Sequence, residues 1–567
     1  MPISLYLIPI VALPAAVLAL VLSRLPGTVF AVTLVGVAGQ VLAAFAALIT
    51  ALYAFNSGPL TGGFGLLYVD ALSGLILIVI ALVSLLAITY SVPYMGRELL
   101  EDHITLTKLG WYYFWFNILT TAIYATVIFN SLGITWVLLE STTLAAAPLV
   151  GFYGKHQSLE AAWKYIVIAT VGISFALLGT LLTYMASVSN LPESGSSLDW
   201  TFLLKNAANL NPDLMKLAFI FILIGFGTKT GLAPMHTWLP DAHSQAPSPI
   251  SALLSGALLN CGLYGIMRFN TITKITLGPE YSSTLLIIFG LISIGIVIPF
   301  ILEQDDFKRL LAYSSIEHMG IIVLAIGIGG EIGGFAAALH ILNHAIAKSL
   351  MFCVAGEVTE RYHTREIPKI KGVINANPLL GTLLFVGTLA ITGVPPLNVF
   401  VSEALVGAAA FANNNPLVGC LYLILLACIF ASLIHHVVGM AFGRGEKAHY
   451  LPKVDLSNHP LINKGVGNSL IMAGITVFSG SLSPFKRKGL PNWQFAAAEK
   501  REPKATQAPE LETDPLTNSD SLDERLKLAN RFASFILLAP AITLLVLGLW
   551  LPPFAQEWFH MVGTILK

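Results

Sequence analysis

Apolar residues fill this chain in blocks of about twenty, separated by short polar joints, and at about 1.5 Å per residue one such block crosses a hydrocarbon layer of roughly 30 Å as a single α-helix. The blocks predict crossings at residues 3–23, 29–53, 66–92, 110–130, 132–153, 161–187, 215–236, 248–269, 282–302, 309–329, 332–355, 378–412, 415–442 and 531–552. Strands of a transmembrane barrel would instead alternate over about ten residues, a pattern the chain lacks. The predicted fold is therefore all-α, a polytopic transmembrane helical bundle of about fourteen helices. The run from Ile3 to Leu22 is longer than a signal-peptide core and has no basic stretch before it, so it is expected to remain as the first crossing.

Composition agrees with lipid as the main solvent, since 56% of the 567 residues are hydrophobic, 11% are charged and the mean hydropathy is +0.77. A formal net charge of zero offers no bulk attraction to nucleic acid. The four cysteines, Cys261, Cys353, Cys420 and Cys428, lie in apolar blocks without a CxxC pair and read as buried packing residues. With no iron–sulfur, haem or flavin attachment pattern in the sequence, the chain is expected to bind no cofactor or metal itself.

Charge in the joints sets the orientation. Arg24, Arg97, Lys108, Lys155, Lys308, Arg309, Arg361, Arg365, Lys369 and Lys371 follow odd-numbered crossings, whereas joints such as 56–65 and 413–416 are nearly chargeless. Short cytoplasmic loops are enriched in Lys and Arg, so an even number of crossings places both termini outside the cytoplasm, in the cytoplasmic membrane of a prokaryote. Between Arg444 and Asn530 the composition turns to Lys, Glu, Asp, Pro and Ser, including Lys486-Arg487-Lys488 and an acidic stretch from Glu510 to Asp523. This predicts a partly disordered cytoplasmic insertion, whose apolar patch at 470–477 is too short to cross and suits a membrane surface or a partner.

Against this background a charge inside a crossing costs several kcal/mol and is a functional candidate. Glu140 stands in the middle of the fifth crossing, where a helix–helix hydrogen bond is the structural alternative. Lys229 lies in Gly227-Thr228-Lys229-Thr230-Gly231-Leu232-Ala233-Pro234, where Gly231 weakens the helix and Pro234 removes the donor for the Thr230 carbonyl, predicting a break. Irregular backbone at membrane depth is tolerated beside protein or a water-filled cavity and marks ion sites in transporters. The eleventh crossing carries His340, His344 and Lys348 at four-residue spacing on one helix face, a pattern suited to a proton relay. The same spacing can hold zinc, but the sequence offers no third ligand beside it. Gly393-Val394-Pro395-Pro396 predicts a second break, with Glu403 about two turns later, and Glu317-His318 adds polarity to the tenth crossing. For Lys164, near the start of the sixth, snorkelling to the interface accounts for the residue as well as conduction does.

Breaks in the seventh and twelfth crossings, each near a charge, suggest two five-helix repeats, which an odd number of crossings forces into inverted topology. The expected divisions are helices 1–3 at 1–109, the first repeat at 110–270, the second at 271–443, the insertion at 444–530 and the last helix at 531–567.

The run from Gly227 to Pro249, containing Met235-His236-Thr237-Trp238-Leu239-Pro240-Asp241-Ala242-His243-Ser244-Gln245-Ala246-Pro247, resembles the signature of the antiporter-like subunits of respiratory complex I, Mrp antiporters and membrane-bound hydrogenases. Asp306 to Ser315 and His340 to Lys348 are similar to the family's tenth and eleventh helices, and the resemblance spans roughly residues 66–442. Gly151-Phe152-Tyr153, Glu160-Ala161-Ala162-Trp163-Lys164-Tyr165 and Ser314-Ser315-Ile316-Glu317-His318-Met319-Gly320 resemble the F component of hydrogenase-4-type complexes, relatives of formate hydrogenlyase. The resemblance implies that Glu140 and Lys229 form a coupled pair in one half-channel and that Lys348 and the histidines lead to Glu403 in the other. Lys164, His243, Asn260, Glu317 and His318 complete the candidate proton positions. One departure concerns the eighth helix, where the family often has a lysine or histidine and this chain has Asn260 and Ser255, so water or the amide would have to bridge the halves. The tail after the last crossing is also too short for the long lateral helix of the most distal complex I subunit.

The function expected is that of a non-redox, proton-translocating subunit of a membrane oxidoreductase, driven by electron transfer in partner subunits that carry the iron–sulfur clusters, nickel–iron site or quinone. Other membrane subunits and a peripheral redox arm are the expected partners. Competing readings are a sodium–proton antiporter subunit, a quinone-linked complex I subunit, the energising partner of an inorganic-carbon uptake complex, and a membrane scaffold whose channel has lapsed.

Overall fold

A computed structural model of the chain describes residues 3–191, 196–444 and 532–566. The insertion expected at 444–530 lies, beyond Arg444, outside the described residues. Eleven described helices are long and apolar enough to cross a membrane. They include α1 (Ser4–Leu22), α2 (Val29–Ser57), α3 (Ala71–Leu100), α5 (Leu132–Val150), α6 (His156–Val188), α12 (Pro279–Leu302), α13 (Phe307–Ile328), α14 (Gly330–Tyr362) and α18 (Pro416–Phe442). Between these stand the more polar α4 (Leu106–Ile128) and α8 (Pro212–Thr230), the short α7 (Trp200–Asn206) and α9 (Trp238–Gln245), α10 (Ser248–Leu253) with α11 (Leu259–Leu277), and α15 (Val373–Ala376), α16 (Pro378–Ile391) and α17 (Asn398–Ala412). The chain closes with α19 (Leu538–Leu549) and α20 (Pro553–Leu566). A hairpin of β1 (Leu60–Gly62) and β2 (Leu67–Val69) joins α2 to α3.

Both expected breaks are present. Helix α8 ends at Gly231, whose φ of +82° lets its N–H turn back to the carbonyls of Gly227 and Thr228 before α9 resumes. The second break separates α16 from α17 over residues 392–397. The eighth crossing is continuous over Ser248–Leu277 but contains a π-turn at Leu254–Leu258, a device that often marks functional positions.

Packing has the same order in two successive groups. Helix α4 lies on α5, α5 on α6, α6 on α8 and α8 on α11; then α12 lies on α13, α13 on α14, α14 on α16 and α17, and these on α18. Small residues bring α6 and α8 into close approach: a Cβ on Gly225 would stand 2.3 Å from the Ala176 nitrogen. That closeness holds the end of α8 against the polar face of α6.

Several expected boundaries shift. The third crossing starts at Ala71 instead of 66, because the hairpin occupies the preceding residues, and runs to Leu100. Arg97 is consequently a buried helix residue, bonded to Glu357 and Glu360 of α14 at 2.6 Å each, and not a loop charge. Arg361 likewise belongs to the last turn of α14, and Lys308 is buried with its Nζ donating to the Ala246 carbonyl at 2.5 Å. Cys420 and Cys428 are exposed, since α18 is peripheral and turns one face outward, whereas Cys261 and Cys353 are buried as expected. The tail forms α20, a short helix packed on α14 and α3, with Trp558 stacked on Phe55 at 4.6 Å. A buried ion pair that sequence reading passed over, Arg268 with Asp70 at 2.6 and 2.7 Å, ties α11 to the start of α3 and lies 4.6 Å from the Trp200 ring.

Candidate functional site

The first group of ionisable side chains gathers where α5, α6 and α8 meet. Lys229, in the last turn of α8, is 1% exposed. Its Nζ donates to Thr143 Oγ1 at 2.8 Å and to the Tyr165 hydroxyl at 2.9 Å. Thr143 stands one turn after Glu140 on α5, so its single hydroxyl proton is directed to Glu140 Oε2, 3.4 Å away. Thr170 of α6 donates to the other carboxylate oxygen at 3.0 Å. Glu140 and Lys229 therefore communicate through a hydroxyl, where the sequence implied a pair facing each other. A threonine oxygen that accepts from an ammonium and donates to a carboxylate lowers the cost of holding the buried Lys229 and the half-buried Glu140.

Lys164 is placed differently. Its partners are Glu160 at 2.7 Å and Asp241 at 3.3 Å, and Asp241 also binds Arg309 at 2.6 Å. The Lys164 side chain is 35% exposed, which fits an interfacial ion network.

Between the two halves lie α9 and the π-turn. His243 is fully buried and stacked on Phe352 at 4.9 Å, and neither ring nitrogen has a protein partner. Asn260 donates to the Gly256 carbonyl at 2.8 Å, leaving its Oδ1 without a protein partner. Ser255 bonds Ser315 of α13 at 2.8 Å, and its carbonyl accepts from His344 Nε2 at 3.4 Å, so the π-turn touches both α13 and α14.

The second group is denser. Lys348 donates to Ser314, which stands one turn before Glu317 on α13 as Thr143 stands one turn after Glu140 on α5. His318 Nε2 lies 3.1 Å from the Ile391 carbonyl at the end of α16; a carbonyl only accepts, so this nitrogen carries the proton and Nδ1 of the neutral ring carries a lone pair. That lone pair faces His340 Nε2 at 2.9 Å. On the far side His340 Nδ1 meets Ser402 Oγ at 2.9 Å, while Ser402 also reaches the Val399 carbonyl at 2.9 Å and accepts from Asn343 at 3.0 Å.

The serine has one proton for two takers. If it turns to His340, the chain Ser402–His340–His318–Ile391 is neutral and fully bonded. If it turns to Val399, His340 must donate through Nδ1, and the facing nitrogens then hold one extra positive charge between them. Rotation of one hydroxyl thus matches the gain or loss of one proton.

Glu403 ends the row. It is buried, with Oε1 lacking a protein partner, and its Oε2 occupies the space over Gly393, where an added Cβ would stand 1.7 Å from it. Gly393 also has φ +61°, which a side chain disfavours by about 1 kcal/mol. Gly393→Ala is therefore expected to push the Glu403 carboxylate out of the break, reducing proton uptake in vesicles to the level of a Glu403→Gln variant while the complex stays assembled; uptake equal to wild type would mean that this seat is unimportant.

Among the described residues, several of the buried polar atoms without a protein partner, Asn260 Oδ1, Glu317 Oε2, His344 Nδ1, Glu403 Oε1 and both His243 nitrogens, belong to this set of ionisable and amide side chains, and others such as Asn270 and Ser282 lie outside it. Each such orphan costs roughly 1–3 kcal/mol unless ordered water or an ion satisfies it. The sequence singled out the charges but missed Thr143, Tyr165, Thr170, Ser314, Asn343 and Ser402.

The comparisons with known proteins agree with this architecture. Residues 130–432 match the family described as NADH:quinone oxidoreductase/Mrp antiporter, transmembrane region, and residues 55–101 match the N-terminus of complex I chain 5. The hydrogenase-4 component F homolog of Methylacidiphilum infernorum (isolate V4) is 39% identical over 390 residues, covering 68% of this chain and 82% of the relative. Hydrogenase-4 component B of Escherichia coli (strain K12) is 32% identical over 349 residues, 59% of this chain and half of that relative. A chain of the archaeal membrane-bound sulfane sulfur reductase superposes with a TM-score of 0.70 at 25% identity, covering 83% of this chain and 94% of that one. A chain of the Mrp complex from Dietzia sp. DQ12-45-1b shares the fold, with a TM-score of 0.73 at 18% identity over 100% of this chain and 97% of its own. The expected likeness to antiporter-like and hydrogenase-4 subunits is thereby borne out, and the chain belongs to the membrane-subunit family shared by NADH:quinone oxidoreductases and Mrp antiporters.

Proposed function

We infer that this chain moves protons for an energy-converting membrane complex of the hydrogenase-4 or formate-hydrogenlyase kind, with electron transfer carried out by a peripheral arm of partner subunits. The observation that carries the reading is the buried row of ionisable side chains at two helix breaks. Charge movement accounts for keeping so many polar groups at membrane depth.

Protons suit this row better than sodium. Sodium in transporters is held by carbonyl and carboxylate oxygens at unwound helices. At the second break His318 already engages the Ile391 carbonyl, and the remaining donors are largely imidazole nitrogens, which bind protons.

Coupling by electrostatics is energetically sufficient. Moving one proton against 100 mV costs about 2.3 kcal/mol, less than two pKa units at about 1.4 kcal/mol each. A charge arriving at Lys229 disturbs Glu140 through the Thr143 hydroxyl, and one arriving at Lys348 disturbs the groups around it through the low-dielectric interior, so the change passes along the row.

The orientation with both termini outside the cytoplasm belongs to the same reading and rests on the basic joints that remain loops, Lys155 and Lys371 among them. In a background with the native cysteines replaced, Lys371→Cys should react with a membrane-impermeant maleimide in inverted vesicles and Ser57→Cys in right-side-out vesicles. The reverse pattern would turn the topology over.

A further inference from the structure

We propose that His318, His340 and Glu403 form a binding site for a divalent transition-metal ion, Zn²⁺ by preference, which occupies the place of the shared proton in the second half of the chain. One ligating atom from each of the three side chains lies within 4.8 Å of the other two, and all three side chains are buried. They come from α13, α14 and α17, so the site exists only in the folded chain. The sequence weighed His340 with His344 and found no third ligand; the fold supplies a different set.

The outer bonds of both rings are those that orient metal-bound histidines. His318 donates its Nε2–H to the Ile391 carbonyl, and His340 turns Nδ1 to Ser402. With Ser402 donating to Val399, both inner nitrogens present lone pairs to each other at 2.9 Å, an arrangement that requires a positive charge between them. A proton meets that requirement, and so does a metal ion.

The geometry is close to what zinc needs. Bonds of about 2.0–2.2 Å in a tetrahedral site hold ligand atoms roughly 3.4 Å apart. The histidine nitrogens would part by about half an ångström as both rings turn their lone pairs off the line between them toward a common point, and Glu403 would swing in through Oε1, which has no hydrogen bond to a protein group to give up. Three protein ligands leave the fourth position to water or hydroxide, and the carboxylate offsets half of the ion's charge. Two imidazoles and one carboxylate discriminate against Mg²⁺ and Ca²⁺, which take six or more oxygens.

The test uses the intact complex in mild detergent, with Zn²⁺ and Co²⁺ as probes. After chelator treatment, loading with Zn²⁺ and desalting, elemental analysis should find about one zinc per chain above the level retained by a His318→Asn/Glu403→Gln double variant. Each single variant should bind at least about tenfold more weakly, and Ser402→Ala, which removes only an outer bond, about tenfold more weakly. His435→Asn, on the peripheral α18, should change nothing. Co²⁺ should give the intense visible absorption of a four-coordinate site. Equal zinc retention by wild type and the double variant, or a weak six-coordinate Co²⁺ spectrum, would overturn the proposal. Metal retention is read without proton movement, so this result is independent of the functional reading above.

Discussion

Lys229→Ala is expected to stop proton translocation while the chain remains folded in the membrane. The Lys229 ammonium is buried and bonded to Thr143 and Tyr165, and Thr143 in turn bonds Glu140. Removing one member of a buried charge network typically costs about 3–5 kcal/mol unless the survivor neutralises. Glu140 can protonate, so the cost falls on function: a barrier raised by about 3 kcal/mol slows transfer roughly a hundredfold. Lys229→Arg should restore little, because a guanidinium keeps the charge but releases no proton near neutral pH. The hydroxyl bridge adds a sharper expectation. Thr143→Ser should retain most activity, whereas Thr143→Val loses hydrogen bonds to charged groups worth about 1.5–3 kcal/mol each and should slow acidification of vesicles about tenfold or more. If Glu140→Gln and Lys229→Ala give losses that simply add in the double variant, the two residues do not act as a unit.

Glu403→Gln should be as damaging in the second half. Glutamine keeps the shape over Gly393 but can neither carry a proton nor answer the charge held between His318 and His340. Proton release should fall severely while partner subunits still pass electrons. Ser402→Ala is expected to give a milder defect, because it removes the hydroxyl that follows the charge state of His340 without removing a titrating group. Proton release in Glu403→Gln equal to wild type would remove this residue from the path.

The crossings were legible because lipid demands length and apolarity together, and the two breaks because Gly231 with Pro234, and Pro395 with Pro396, concentrate two helix-disrupting residues within one turn, whereas single prolines such as Pro93 and Pro148 sit inside continuous helices. Less legible were features that depend on which faces meet. Arg97 looked like an orientation signal in a loop, yet α3 continues because Glu357 and Glu360 of α14 pair with it. The pairing of Asp70 with Arg268 joins residues far apart in sequence and has no local pattern. Helix α20 escaped notice because a short amphipathic helix needs neither apolar length nor a break signal. At the site, sequence named Glu140, Lys229, Lys348, Glu403 and the histidines. It could not name the hydroxyls of Thr143, Ser314 and Ser402, since serine and threonine are common in such helices and only packing shows which of them bond a titratable side chain.

The central claim, that this chain carries protons for electron transfer elsewhere in a complex, is tested most directly by protons translocated per electron in sealed vesicles holding the whole complex. Wild type, Lys229→Ala and Glu403→Gln would be compared at matched electron flux. The account predicts a clear fall in protons per electron for both variants, with electron transfer either persisting uncoupled or slowing less than proton movement. An unchanged ratio in both variants would contradict it.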